Sequence, residues 1–420
     1  MCEACDAAAQ AQGGALLPFE TALARALEIA LPVEGIETVA LEDAAGRVLA
    51  EPALAPLPLP PFDNSAMDGY AVRLADLAGE GPWRLPLARR IAAGDAGGGA
   101  LPSPGAARIL TGAPLPQGAD AVVMQEETAV EAGPGGEAAV VRRRPRLGEN
   151  IRRAGEDLPA GSAILQPGVA IGAREAAALA AVGAGRVAVR RRLRVAFFCT
   201  GSELRQPGEP LAPGQIWNSN RFQLRAALAL PWIEAADLGA VPDEPERLRR
   251  ALAQAAAQAD LVVSTGGVSV GEEDHMPRLL AEAGGKAQVM RVAMKPGKPL
   301  TVGTLGAAVY LGLPGNPVSA FVAWQLVGAA VAARRAGIVR PPSLFTTVRA
   351  SAAQARRPGR TEFRPARFVG APSWNEPEVE LLAPSFSARI ALLAAADGLV
   401  VIEARATGVE KGERLRFLPF

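Results

Sequence analysis

Histidine is almost missing from this sequence: His275 is the only one in 420 residues. That excludes a His-rich metal centre and any pair of cooperating histidines. Three cysteines are too few for a disulfide scaffold at this length and point to a reducing compartment. Cys2 and Cys5 form a CxxC pair that offers two metal ligands rather than four, and Cys199 closes an apolar run as a core thiol does. Net charge is also nearly nil, 44 Lys and Arg against 43 Asp and Glu. The broad basic footprint of a nucleic-acid or anionic-membrane binder is therefore absent, and any anion must be caught by a local arrangement. The opening MCEACDAAAQAQGG has no basic segment followed by an apolar core, so no secretory signal is read there. The uncharged stretch from Pro299 to Ala333 is divided by the LGLPGNP turn, which leaves a helix short for a bilayer. The expectation is a soluble, cytoplasmic protein.

Lysine and asparagine are scarce too. Lys295 and Lys298, two of the four lysines, fall in the single run KPGKP. Five of the six asparagines, Asn64, Asn150, Asn218, Asn220 and Asn316, sit in loop segments with Gly or Ser. In a composition drifted towards Ala, Arg, Leu and Pro, rare residues kept in loops mark candidate chemistry, with chance as the alternative. What is plentiful is core material, 49% hydrophobic residues against 21% charged. A wholly disordered chain is excluded, and the length asks for roughly two to four domains.

Phe19, Leu23, Ala26, Leu27 and Ala30 recur at helical spacing, IETVAL alternates as a strand, and DAAGRVLA predicts a short helix. The Pro-rich run EPALAPLPLPPFDNSAMDGYAV cannot be helical and opens a segment of short strands. AREAAALAAVG reads as a helix. From Leu193 strands and helices alternate: LRVAFFC, NRFQLRAALAL, WIEAADLG, DEPERLRRALAQAAAQA, DLVVS, a helix near His275 to Ala283, strand-like RVAM and AAVYLGL, and a helix from Val318 to Ala333. That rhythm predicts a doubly wound parallel sheet. TTVRA, RTEFRPARF, EVELL, GLVVIEARA and ERLRFLPF then read as strands of a small β-barrel or sandwich. The expected organisation is a disordered tail over 1–16, a linking region from 17–50 and 146–185, a β-rich domain over 51–145 that carries FDNSAMDGY, a doubly wound α/β domain over 186–338, and a C-terminal β domain over 339–420.

Ligands of an open parallel sheet sit beyond the carboxyl ends of its strands. Three small-residue loops leave such ends: Thr200-Gly201-Ser202-Glu203, Ser264-Thr265-Gly266-Gly267-Val268-Ser269, and Gly312-Leu313-Pro314-Gly315-Asn316-Pro317. Glycine lets the backbone approach a ligand and turn N–H groups towards an anion, so three loops on one rim point to a phosphate-bearing ligand, although any one alone serves as a tight strand exit. Neither a P-loop nor a dinucleotide fingerprint is present. Glu203, Asp243 and Asp274 lie beside the loops and suit Mg2+ bridging phosphate oxygens; a helix N-cap for Asp243 and solvated loop charge for the other two are the plain alternatives. Lys295 and Lys298, with Arg360 in PGRTEF, suit a small oxyanion. In PPFDNSAMDGYAVR, Asp63 or Asn64 serves a local turn, while Asp68 is placed to lend a carboxylate to a site on another subunit.

Taken together, FDNSAMDGYAVR, ILTGAPLPQGADAVVMQEE, GENIRRAGED, TGSEL, GQIWNSN, STGGVSVGEED, KPGKP, GLPGNPVSAF and GRTEF occur in the order that resembles the molybdopterin molybdenumtransferase (MoeA) family, related to the E domain of gephyrin. The resemblance spans about residues 17–420. It implies a multidomain α/β subunit with a central MogA-like doubly wound domain, a β-rich domain, a small linking α+β domain and a C-terminal β-barrel-like domain. It also implies a homodimer whose site lies between the α/β domain of one subunit and the Asp68-bearing domain of the other. The implied reaction is insertion of molybdate into adenylylated molybdopterin with Mg2+-dependent release of AMP. Matching functional positions are Asp68, Thr111, Asp157, Glu203, Asp243, Asp274, Lys295, Pro314, Pro317 and Arg360, with Thr200, Gly201, Ser264, Gly266, Gly267, Ser269, Lys298, Gly315, Asn316 and Ser387 as cofactor-binding positions. The molybdopterin adenylyltransferase and apo-molybdoenzymes are the implied protein partners. Arg291 stands where some relatives carry Lys. The alternatives are a non-catalytic gephyrin-like scaffold, a tungstate-specific paralogue, and an adenylyltransferase resembling only residues 193–335.

Overall fold

The computed structural model of the chain describes residues 16–96, 99–267, 276–339, 345–370, 376–382 and 388–420. From Leu193 onward the apolar runs build one six-stranded sheet in the spatial order Ile233–Val241, Leu193–Thr200, Leu261–Thr265, Ala308–Leu313, Pro299–Leu305, Lys286–Arg291. The first four are mutually parallel. Successive side chains of a strand point to opposite faces. Phe197, Val263 and Leu311 accordingly face the helices Ser219–Ala227 and Pro317–Ala323, whereas Ala196, Phe198, Val262 and Tyr310 face Pro245–Gln258 and Met276–Glu282. Burial on both faces is why these strands read as unbroken apolar runs. The stretch Pro317–Arg335 is long and apolar enough to cross a membrane by length and composition, but 67% of its most apolar window is buried within the fold, as in a core helix.

Three readings of the sequence change here. The sheet is mixed rather than all parallel, because Pro299–Leu305 runs antiparallel to both neighbours. Only Gly306 and Ala307 separate it from Ala308–Leu313, and a parallel return needs a crossover of roughly a dozen residues or more. RVAM is shared between two strands, Arg291 ending Lys286–Arg291 and Met294 opening Met294–Lys295. DAAGRVLA is not a helix. A 3-10 turn at Leu41–Asp43 is followed by Gly46 at φ +72°, and Val48 and Leu49 then form bridges to Ala170 and Val189. A Cβ on Gly46 would lie 2.4 Å from Pro231, so the left-handed turn is also a close approach between chain segments.

The remaining units frame the sheet. Ile36–Ala40 pairs with Arg186–Arg190, and Ala53–Leu54 with Ala163–Leu165, over a small core of Leu49, Ile171, Leu179 and Val189. A second six-stranded sheet, within residues 69–141, has its own cores around Val72 and Leu85 on one face and Ile91 and Ile109 on the other. At the C-terminal end Thr361–Val369, Glu378–Leu381, Thr346–Ala350, Arg414–Pro419 and Gly398–Ile402 follow one another around a barrel, which closes where the last pairs with the first. The opening helix Phe19–Glu28 joins two units. Ala22 and Ala26 enter the core of the α/β sheet, and the Phe19 ring meets barrel residue Phe363 edge-on at 5.9 Å.

One buried ion cluster fastens the sheet to the linking region. Asp260, just before Leu261–Thr265, accepts hydrogen bonds from Arg191 at 2.7 and 3.0 Å and from the Arg194 side chain at 3.0 and 3.3 Å. Burial alone would raise the Asp260 carboxyl, but those guanidinium bonds outweigh it and hold the group well below the usual carboxylate range. A depressed native pKa adds stability that is complete above the unfolded-state value and is lost as pH falls towards the native value. We therefore expect Asp260→Asn to cost roughly 2 kcal/mol at pH 7, short of a fully buried pair because Arg194 is half exposed. Urea denaturation should show the gap to wild type narrowing below about pH 4, near the unfolded aspartate value.

Candidate active site

The carboxyl ends of Leu193–Thr200, Leu261–Thr265 and Ala308–Leu313 open on one cleft of about 790 Å3. The three strand exits touch. Gly266, at φ +89°, donates its N–H to Leu313 O at 3.1 Å, and a Cβ there would lie 2.6 Å from Thr200 Oγ1 and 2.7 Å from Thr200 O. Only glycine fits that position. Gly315 approaches from the third exit, where its Cβ would lie 3.5 Å from Gly266 Cα, and Asn220 Nδ2 fixes Gly315 O at 2.7 Å. Asn218 starts the Asn220 helix by accepting the Arg221 N–H, as an N-cap residue does.

This packing leaves polar groups without partners. Thr200 Oγ1 and Asn220 Oδ1, on residues only 7% and 8% exposed, have no hydrogen-bond partner among the described residues. Atoms of that kind are costly in a closed core, and on the lining of a cleft they suit a ligand. Two carboxylates stand at the same rim. Glu203 is exposed and folds back over Gly201, whose Cβ would lie 2.5 Å from Glu203 Oε2. Asp243 is held by a reciprocal pair, its Oδ2 accepting from Ser202 N at 3.2 Å and its N donating to Ser202 Oγ at 3.2 Å. The N-cap of Pro245–Gln258 is Glu244, so the capping alternative for Asp243 is not realised.

A basic seam borders the cleft. Met294–Lys295 pairs in parallel with Thr361–Glu362, which attaches the KPGKP loop to the barrel strand that follows Arg360. Lys295 Nζ lies 3.9 Å from Glu362 Oε1, Arg364 Nε donates to the same oxygen at 2.9 Å, and Arg356 stands 3.9 Å from the other oxygen. Glu362 is 1% exposed, so three cations share one buried carboxylate. Arg360 donates to Met294 O at 3.2 Å and receives at its own carbonyl an N–H of Arg356 at 2.9 Å. Pro299, the last residue of KPGKP, and Ala388 both line the cleft.

A third cluster forms in the N-terminal half. Asp68 Oδ1 accepts from Thr111 N and Thr111 Oγ1, each at 2.7 Å, and these bonds hold the carboxyl below its ordinary value. Asp63 accepts from Arg153 at 2.6 Å and Ala154 N at 2.8 Å, while Asn64–Ser65 pairs with Ile151–Arg152. FDNSAMDG, ILTG and GENIRRAGED thus meet in space, and Asp157 is exposed nearby with its N–H on Leu59 O.

Thr200, Gly201, Glu203, Asp243, Gly266, Gly267, Pro314, Gly315, Asn316 and Pro317 line the cleft together. Ser264 does not. It is fully buried with its hydroxyl bonded to Tyr310, and it supports the floor from below. Lys295, Lys298 and Arg360 belong to the seam, whereas Asp68, Thr111 and Asp157 stay with the N-terminal cluster and do not line this cleft. Cys2, Cys5, Ser269, Asp274, His275 and Ser387 lie outside the described residues, and among the described residues no three His, Cys, Asp or Glu side chains converge to hold a metal. Trp217, which lines the cleft, and Glu362 were not singled out from the sequence. Both lie inside the motifs GQIWNSN and GRTEF, where Glu362 stands out as an acid between Arg360 and Arg364.

Two substitutions probe these contacts. Gly266→Ala should lose roughly 1–3 kcal/mol through left-handed strain and the clash with Thr200, read by chemical denaturation. Thr111→Val removes one hydrogen bond to Asp68, and the carboxyl pKa, followed by NMR titration, should rise towards its ordinary value.

Family models match three successive parts of the chain: the MoeA N-terminal region (domain I and II) at residues 17–183, a probable molybdopterin binding domain at 196–333, and the MoeA C-terminal region (domain IV) at 347–420. Molybdopterin molybdenumtransferase of Haemophilus influenzae is 41% identical over 315 residues, 74% of this chain and 76% of that protein. Molybdopterin molybdenumtransferase 2 of Mycobacterium tuberculosis is 36% identical over 390 residues, 90% of this chain and 94% of its own length. A solved molybdopterin biosynthesis MoeA protein of Pyrococcus horikoshii superposes with a TM-score of 0.80 at 26% identity, covering 97% of this chain and 100% of that one. With its N-terminal, central and C-terminal regions all matched, the chain belongs to the molybdopterin molybdenumtransferase (MoeA) family.

Proposed function

We propose that this chain is the transferase of molybdenum cofactor biosynthesis that inserts molybdate into adenylylated molybdopterin and releases AMP. The observation that carries this reading is the contact of three strand exits around the unpaired Thr200 and Asn220 atoms, with a basic seam on the same border. Backbone N–H groups at Gly267 and Gly315 can approach phosphate oxygens closely, since no Cβ intervenes, while those of Gly201 and Gly266 hold the exits together through Val241 O and Leu313 O. Lys295, Lys298 and Arg360 hold the oxyanion, Lys as point charges and Arg as a planar fork, with Ser387 adding a hydroxyl. The two dithiolene sulfurs displace two molybdate oxygens, which leave as water with the two thiol protons and two protons from solvent, and one water is consumed as the phosphoanhydride is cleaved and AMP leaves.

Mg2+ takes one or two carboxylates and completes its shell with waters and phosphate oxygens. Glu203, whose carboxylate has no hydrogen-bond partner among the described residues, and Asp243, with Oδ1 left over, fit that demand, and Asp274 is the third proposed ligand. Bound there, Mg2+ would neutralise charge developing on the phosphates. Asp68, Thr111 and Asp157 act from the second subunit of a homodimer. Leu54, Leu57, Phe62 and Met67, exposed in the segment leading to Asp68, support a partnered surface there. The enzyme works in the cytoplasm on a small-molecule substrate, without nucleic acid or membrane, between the molybdopterin adenylyltransferase and the apo-molybdoenzymes.

The test is AMP release from adenylylated molybdopterin with Mg2+, with molybdate or tungstate in parallel. Wild type should release AMP with one preferred oxyanion, and Asp243→Ala should be slower by on the order of 100-fold. Substrate binding without AMP release under any of these conditions would leave a gephyrin-like scaffold in place of the transferase.

A further inference from the structure

Trp217 is 53% exposed although it lines a concave cleft. Its indole is not loose. Trp217 Nε1 donates to Glu209 O at 2.9 Å, its strand Ile216–Trp217 pairs in parallel with Leu204–Arg205, and Ile216 N donates to Glu203 O at 3.0 Å. The segment that carries it is tied down as well. Arg221 donates to both carboxylate oxygens of Asp237, at 3.0 and 2.9 Å, and reaches Gln206 Oε1 at 2.5 Å. The residue that follows, Asn218, caps the helix from which Asn220 presents its unpaired Oδ1. A fixed, solvent-facing aromatic ring thus stands beside unpaired polar atoms in one cleft, with Pro299, Pro314 and Pro317 as further apolar lining.

We infer that Trp217 is the stacking platform for a planar heteroaromatic ring of the ligand and sets the specificity of this cleft for a base-bearing phosphate over a bare sugar phosphate. The inference rests on the transferase reading, whose substrate carries two such rings, an adenine and a pterin. Stacking suits the geometry because an aromatic face accepts any planar base, while the neighbouring polar atoms select the ring edge. The Gly-rich exits remain free to hold the phosphate.

The experiment titrates the full chain with AMP, 6-hydroxymethylpterin and ribose 5-phosphate, following tryptophan fluorescence and calorimetric binding in wild type, Trp217→Phe and Trp217→Ala. Either AMP or the pterin should quench a signal that Trp217→Phe lacks, and the one that quenches names the ring. Trp217→Ala should weaken that ligand by about tenfold or more, Trp217→Phe should keep most of the affinity, and ribose 5-phosphate should be indifferent to both. Binding of AMP or pterin in calorimetry with no quench and no loss in Trp217→Ala overturns the stacking role and leaves the transferase reading standing. Absence of binding by both AMP and pterin to wild type overturns both. Equal weakening of ribose 5-phosphate in a folded Trp217→Ala would show that the residue merely shapes the cleft, and the inference fails.

Discussion

The contact between Gly266 and Thr200 is the constraint on which the site depends. Because the backbone of one strand exit lies against the side chain and carbonyl of the next, the parallel strands end together, and the third exit closes on them through Gly315. A side chain at residue 266 would force the exits apart and take the Asn220–Gly315 hydrogen bond with them. The same closeness removes Thr200 Oγ1 and Asn220 Oδ1 from water without giving them partners. Tight packing and unfinished hydrogen bonding therefore have a single cause.

The second coupling is between units. KPGKP belongs by sequence to the α/β domain, yet Met294–Lys295 is hydrogen-bonded to the barrel, and Glu362 gathers Lys295, Arg356 and Arg364 around one buried carboxylate. Removing either sign would strand the other in a region closed to water. Leu17 and Phe19 reinforce the junction, the first bridged to Val292 and the second packed on Phe363. The basic groups are thus set by contacts among three stretches of chain that are distant in sequence.

Much of this was legible because the physics involved is local. Buried strands such as LRVAFFC and DLVVS declare themselves by unbroken apolar runs, and the five barrel strands by alternation between Gly and Pro turns. The rim loops could be named because glycine after an apolar strand leaves few other roles, and the ordered motifs pointed to the family that the comparisons show. What failed depended on distant partners. The antiparallel course of Pro299–Leu305 follows from a turn whose two residues looked like part of one long apolar stretch. DAAGRVLA has helical composition, but Val48 and Leu49 gain more from bridges to residues over a hundred positions away. Ser264 shares a loop with cleft residues, yet strand alternation turns its hydroxyl down to Tyr310. Glu362 and Trp217 looked like ordinary members of their motifs until the fold showed what each one faces.

The cleft, the seam and the Asp68–Thr111 cluster make one site only if two subunits combine, with Asp68 of one reaching the cleft of the other. Co-refolding an Asp68→Ala chain with an Asp243→Ala chain tests this directly, because a mixed dimer contains one site in which both residues are intact. The expected result is AMP release from the mixture far faster than from either variant alone. Mixed dimers seen by native mass spectrometry that remain inactive would contradict the shared site.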